Sequence, residues 1–364
     1  MKDKKGNPFL KVIAGANVAS ILAMIVVGYS YYINPASFPK LSTIGLFFPF
    51  FILINLALFV FWFFVKKKYL VIPIIGFIIC AAPIRTYCPL NMPSTVHEDA
   101  IKVISYNTHS FGSKEYDENG ENVVLQYLKN ADADIVCLQE SYGIGYPFEY
   151  LKKTLNTYEF FSGDIEEIKD NKDLFVISKY PIIKVENILV KSNKNSAVAF
   201  WLKKESDTIL VVNCHLESYQ FSSDEKEEYK EMLRDIRDRN FERDNIKEES
   251  KFIVRKLSNA TIPRSEQARE IAAFISEHKN EKLIVCGDFN DNPISYVHHT
   301  IASELTDCFV SSGNGLGISY NEKGFYVRID NILCSGAIKP YACKVDNKIT
   351  VSDHFPMICW LKID

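Results

Sequence analysis

Acid is what the first quarter of this chain lacks. In residues 1–90 the only carboxylate is Asp3, against nine lysines and arginines. Long apolar runs without acid do not make the surface of a soluble domain, so this part reads as lipid-facing. The remainder is short of the opposite charge: residues 91–364 hold 33 basic and 44 acidic side chains. A protein that grips duplex DNA through many phosphates needs a basic surface, so this balance weighs against duplex DNA as the principal ligand. Nine cysteines are present, but no Cys-x-x-Cys pair and no zinc-type spacing. Cys137, Cys214, Cys286 and Cys359 lie inside apolar runs, where cysteine acts as a small buried hydrophobe. A Cys334–Cys343 disulfide is conceivable, with nothing else in the sequence to support it. Internal repeats and low-complexity tracts are absent as well. There is no P-loop: Gly313-Asn-Gly-Leu-Gly317 follows no strand and is not closed by Gly-Lys-Ser/Thr.

What is present begins with two apolar runs, Leu10–Ile33 and Leu41–Val65. Each exceeds the roughly 20 residues that span a bilayer, so both read as transmembrane helices. Leu70–Ile84 is shorter and carries Pro73 and Pro83, which makes it a third, marginal span or a re-entrant segment. The basic start resembles a signal peptide, but no small-x-small cleavage site stands out and a second span follows. Residues 1–90 are therefore expected to be an uncleaved multi-pass anchor in the cytoplasmic membrane, with spans at about 10–33, 41–65 and 70–84. Lys2, Lys4, Lys5 and the triplet Lys66–Lys68 belong inside by the positive-inside rule, and the near-neutral Pro35–Lys40 loop outside. Three spans then place the following domain outside the cytoplasm, and two spans place it within. The cysteine content points to a reducing compartment and the charge pattern to export. Export is the reading we adopt.

A polar linker, residues 91–100, leads into a domain covering 101–364. Glu121–Lys129 and Ser265–His278 have helical spacing, and the highly charged Ser223–Lys256 reads as exposed helix. Strand-like runs lie at Leu174–Ser178, Ile182–Leu189, Ala197–Leu202 and Thr208–Asn213. Strands mixed with helices without strict alternation indicate an α+β or α/β domain.

Several apolar strands end in residues able to do chemistry. Leu283–Cys286 stops at Gly287 and delivers Asp288 and Asn290, two residues apart and so on one face. The same form recurs at Lys102–Asn107, Ile135–Glu140, Leu210–His215, Arg328–Asp330 and Ser352–Pro356. Taken singly, the Asp288 segment reads equally as an Asx-rich turn, and His215 as a satisfied core histidine. Glu140 is harder to explain structurally, because an unpaired acid at the end of a buried strand is costly.

Six such motifs in this order resemble the endonuclease/exonuclease/phosphatase superfamily over roughly Ile101 to Ile363. That superfamily includes DNase I-like nucleases, abasic-site endonucleases, inositol-polyphosphate phosphatases and bacterial sphingomyelinases. The resemblance implies an α+β, DNase I-like four-layer α/β/β/α sandwich, preceded here by the transmembrane region. It implies a Mg²⁺ ion, with Mn²⁺ as substitute, held by Glu140 with Asn107 and Asp353 beside it. Hard cations of this kind prefer carboxylate oxygen and keep several waters. It further implies that Asp288 activates water, Asn290 orients the phosphate, His215 and His354 flank it, and Asp330 fixes the tautomer and charge of one histidine. Asn331 follows Asp330 where the family often has an aromatic, and Asn213-Cys214-His215 replaces Asn-Thr-His; neither change removes a reacting group. Asn213 is expected to support its loop. His109, His278, His298 and His299 match no motif and are expected to be structural or superficial.

The expected activity is hydrolysis of a phosphodiester or phosphomonoester by metal-assisted in-line water attack. Anchoring at the bilayer and an acidic domain favour a phospholipid or small phosphoester over duplex DNA, and no protein partner is implied. The alternatives are a nuclease acting on DNA or RNA, and a catalytically silent binding module of the same fold. Erosion of the motifs would mark a silent module, yet all eight positions are filled.

Overall fold

The computed structural model describes residues 7–113, 115–141, 148–165, 173–188, 196–219, 243–322 and 325–363, with 225, 227, 231 and 234 besides. Of the expected helix Ser223–Lys256, most of 223–242 lies outside these residues, as do the positive Lys2, Lys4 and Lys5.

The described residues form fourteen strands: β1 Ile101–Asn107, β2 Ile135–Gln139, β3 Phe160–Phe161, β4 Phe175–Ser178, β5 Ile182–Ile188, β6 Ser196–Lys204 and β7 Asp207–His215. They continue with β8 Lys282–Asp288, β9 Thr306–Asp307, β10 Tyr320–Glu322, β11 Phe325–Val327, β12 Asp330–Cys334, β13 Ile338–Val345 and β14 Met357–Ile363. One six-stranded sheet has the order β13-β14-β1-β2-β4-β3, the other β5-β6-β7-β8-β12-β9, and β10 and β11 form a separate pair.

Both faces of the central strands are apolar because both faces are covered. Val103, Cys137, Phe200, Val211, Cys286 and Met357 belong to the core between the sheets. Their neighbours Ile104, Val136 and Ile358 turn outward onto Val124, Leu125 and Leu128 of the helix Val123–Ala131. On the other sheet, Trp201, Val212 and Val285 meet Ala268, Ile271 and Phe274. The result is helix, sheet, sheet, helix, the DNase I-like arrangement. The helix Val123–Ala131 starts where Asn122 accepts a hydrogen bond from the Leu125 amide. The two expected helices beyond residue 223 meet in one, Arg243–Glu277, which runs through Pro263.

Register decides what the sheet edge presents. β1 and β2 run parallel with Asn107 beside Gln139, and β7 and β8 run parallel with His215 beside Asp288. Antiparallel β12 places Asp330 opposite Asp288. β14 runs antiparallel to β1, so the residues just before it return to the same edge. Beneath this edge Asn213 does more than support a loop. Its amide donates to the Leu138 and Phe175 carbonyls and accepts from Gln139, tying the two sheets together. All nine cysteines are free, and the sulfur nearest Cys334 in hydrogen-bonding range is that of Cys308, at 3.7 Å.

Ahead of the sheets, Pro8–Gly28 and Pro39–Val65 are long and apolar enough to cross a membrane. Lys67–Ile79 and Ala81–Tyr87 form a pair bent by 64°. The first helix ends at Gly28, short of the expected Ile33, and Ser30–Tyr32 turns tightly after it. Asn17, Asn55 and Trp62 join the first two helices through buried hydrogen bonds of 3.0 Å. Exposed large apolar side chains concentrate between Phe9 and Ile79. At one end the helices meet the sandwich: Ile294 is buried among Met24, Val27, Phe48, Cys80 and Tyr87. Arg328, wholly buried, donates to the Thr86 carbonyl and to Asp307.

Candidate active site

Strand ends and a few strained turns assemble the site. At Gly287, φ is 152°, and a β-carbon there would lie 1.9 Å from the Cys214 carbonyl oxygen. Only glycine lets β8 pass β7 so closely, and this passage carries Asp288 to the edge. Asn290 has φ 51° and Glu140 φ 48°, left-handed conformations that cost non-glycine residues energy.

Asp288 is 1% exposed, and its Oδ1 accepts the Asn290 amide at 2.8 Å. Its Oδ2 faces two imidazoles: His354 Nε2 at 3.6 Å and His215 Nε2 at 3.9 Å. Each imidazole is locked from behind by a second carboxylate. His354 Nδ1 meets Asp330 at 2.8 Å, and His215 Nδ1 meets Asp173 at 2.7 Å. Burial pushes the Asp288 carboxyl up to about 6, Asp330 adds to this, and the two histidines and the Asn290 amide oppose it. Burial alone would lower both imidazoles. Asp330 and Asp288 outweigh it and raise His354 to about 10, while the Asp173 bond, Asp288 and Glu140 raise His215 to about 9. His215 Nε2 and Asp330 Oδ1 are buried with no hydrogen-bond partner among the described residues.

Toward the rim, the Asn107 amide donates to Glu140 and to Asp288, at 3.1 Å each. Asn107 therefore turns its nitrogen, which cannot ligate a cation, toward Glu140, while its oxygen accepts the His109 amide at 3.2 Å. Asp353 meets neither of them directly in hydrogen-bonding range. His109 lies between, its Nδ1 3.4 Å from Asp353 and 3.6 Å from Glu140. Asn290 donates to the Leu216 carbonyl at 2.9 Å, which fixes its side chain beside Asp288.

All eight expected residues thus share one cleft or its immediate wall, and the structure adds two. His109 opens a left-handed turn in which Ser110, Phe111 and Gly112 also have positive φ. Spacing offered a signal, since His109 stands two residues after Asn107, as Asn290 does after Asp288. Asp173 had none, because its role depends on β4 pairing with β2. Of the unmatched histidines, His298 is buried against Asp307 at 2.9 Å, behind the site.

A divalent cation fits this chemistry at the rim, where Glu140 and Asp353 are partly exposed around one histidine nitrogen. Ligand atoms of Asp288, Asp330 and His354 also approach within 4.8 Å of one another. There, however, the imidazole already bridges the two carboxylates, which favours a hydrogen-bonded dyad over an ion.

Comparison with curated proteins gave no match. Among solved structures, the human Nocturnin catalytic domain is similar at 19% identity and TM-score 0.50, over 74% of this chain and 96% of that one. Sphingomyelinase C from Streptomyces griseocarneus aligns at 16% identity and 0.47, over 72% and 99%. An endonuclease/exonuclease/phosphatase family protein from Bacteroides thetaiotaomicron aligns at 17% and 0.47, over 75% and 100%. A domain family of unknown function matches residues 10–87. The model of the endonuclease/exonuclease/phosphatase family matches residues 104–354, and the chain belongs to that family.

Proposed function

We propose that this chain is a membrane-anchored, Mg²⁺-dependent phosphoesterase that hydrolyses a phosphodiester or phosphomonoester by in-line attack of water. The observation that carries the reading is Asp288 Oδ2 between two histidines, each backed by its own carboxylate. Asp288 accepts the proton of the attacking water. His354, charged through Asp330, supplies hydrogen bonds to the phosphoryl oxygens and a proton to the leaving oxygen. The unpartnered Nε2 of His215 points at the space between Glu140 and Asp288, where a phosphate oxygen would satisfy it. Glu140 and Asp353 would hold the cation, with Asn107 orienting Glu140; the ion, when bound, neutralises charge on the transferring phosphoryl group. A small or lipid phosphoester suits the acidic domain better than duplex DNA. The second reading, a nuclease, rests on the family's description, which names nucleases beside phosphatases.

The catalytic domain, in this reading, lies outside the cytoplasm. Support comes from its contacts with the anchor at Ser30, Ser42 and Thr86 and with the linker at Asn91. Lys66–Lys68 joins the opposite ends of the helices. With those lysines inside, the bent third segment carries the chain back across.

The test is a panel of lipid, nucleotide and small phosphoesters incubated with Mg²⁺ or with EDTA. Hydrolysis is expected only with the ion, and Glu140→Gln should raise the Mg²⁺ concentration required. Undiminished turnover in excess chelator would remove the metal from the proposal.

A further inference from the structure

The cleft has a volume of about 220 Å³, and the catalytic domain does not supply all of its wall. Its polar side holds Glu140, Asp288, Asn290 and His354. Its apolar side is built from Leu257, Val327 and Ile329, and from Leu46 of the anchor. Leu46 belongs to the tight turn Thr43–Phe47, which runs directly into the apolar helix Phe48–Val65.

Two fastenings hold that turn in place. A β-carbon at Gly45 would lie 2.7 Å from Ser30 Oγ and 3.4 Å from Asn292 Oδ1, so the turn packs tightly on Ser30 and in van der Waals contact with the loop that follows Asp288 and Asn290. Ser42 Oγ reaches Thr261 Oγ1 at 3.4 Å, on the helix that also carries Leu257. The level matters too. The 18 residues of Phe48–Val65 make a helix about 27 Å long, close to the roughly 30 Å of a bilayer's hydrocarbon core. With Lys66–Lys68 at the headgroups of one side, Phe48 stands near the opposite hydrocarbon boundary, and Leu46 on the cleft wall lies two residues beyond it.

We infer that the anchor is part of the substrate site: Leu46, with Leu257 and Ile329, forms a subsite for the apolar group of an amphiphilic phosphoester held at the bilayer surface. The inference rests on the phosphoesterase reading and adds the substrate class to it. A phosphate alone has no use for an apolar wall, whereas an ester with a hydrocarbon arm places its phosphate against Asp288, Asn290 and His354 and its arm against Leu46.

The test uses the full chain in maltoside micelles, which carry no phosphate, with Mg²⁺ present. Calorimetry measures binding of inorganic phosphate and of ethyl, butyl and hexyl phosphate to the wild type, Leu46→Ala and Leu46→Asp. In the wild type each added methylene should tighten binding roughly two- to fourfold, the range for partial to full burial of a CH₂. Leu46→Ala should weaken that dependence and Leu46→Asp should abolish it, with inorganic phosphate binding equally to the wild type and Leu46→Ala. A chain-length dependence that is absent in the wild type, or as steep in Leu46→Asp, overturns the subsite. A wild type that binds no inorganic phosphate overturns the phosphoesterase reading, and the subsite with it.

Discussion

A carboxylate as deeply buried as Asp288 is costly to ionise unless positive charge stands next to it. Two imidazoles stand there, and Asp330 and Asp173 hold them protonated. The sign for His354 follows from its raised value of about 10 against an ordinary 6.5. The stability it contributes is complete below the unfolded value and is lost as pH rises through about 10. For Asp288, raised from an ordinary 3.8 to about 6, the sense is opposite to that of a salt-bridged acid: stability is lost as pH rises from the unfolded value to about 6 and stays lower above it. Asp330→Asn should lower the His354 titration midpoint, read by imidazole NMR in chelator, and its stability penalty should fade above about pH 10. On turnover, Asp330→Asn combined with His354→Ala should cost less than the product of the single changes, because the pair acts as a unit. A His354 titrating unchanged in Asp330→Asn would contradict the dyad. At this scale the sequence was largely legible, since strand-terminal residues two apart must share a face. The period that joined Asp288 to Asn290 also applied to Asn107 and His109. Family pattern set His109 aside, and the left-handed turn brought it in.

Among the elements, the turn after β8 makes the tightest demand on sequence. Gly287 leaves no room for a β-carbon beside Cys214, and its φ of 152° suits no other residue. Gly287→Ala should therefore destabilise the domain by about 3 kcal/mol or more through overpacking and backbone strain, seen as a lowered thermal midpoint. An unchanged midpoint would show that the strands can part without loss. Strand existence was legible from apolar runs, because strands covered on both faces are continuous in hydrophobicity. Pairing was not: that β4 starts beside the end of β2, and so brings Asp173 to His215, depends on contacts distant in sequence. Charge density falls between Lys256 and Ser265, so the sequence reads as two helices, Ser223–Lys256 and Ser265–His278. The helix crosses Pro263 without ending, and its far half packs on the second sheet through Ala268, Ile271 and Phe274.

In the whole molecule, the N-terminal helices and the sandwich are joined by specific contacts, and composition could announce helices of spanning length but not where they dock. Buried Arg328 lies inside the Arg-Ile-Asp motif and also holds Thr86, so one short stretch serves both the site and the junction. A reporter fused after Met92 should be active outside the cytoplasm. A signal confined to the cytosol would mean that the bent segment 67–87 does not cross and would reverse the assigned side. The central claim is that Asp288 takes a proton from water attacking a phosphorus. Its most direct test is the single-turnover rate of Asp288→Asn beside the wild type, at saturating Mg²⁺, on whichever phosphoester the wild type hydrolyses. Asparagine keeps the shape but cannot take the proton, so the rate should fall roughly 10²- to 10⁴-fold with the thermal midpoint little changed. A wild-type rate in that variant would contradict the account.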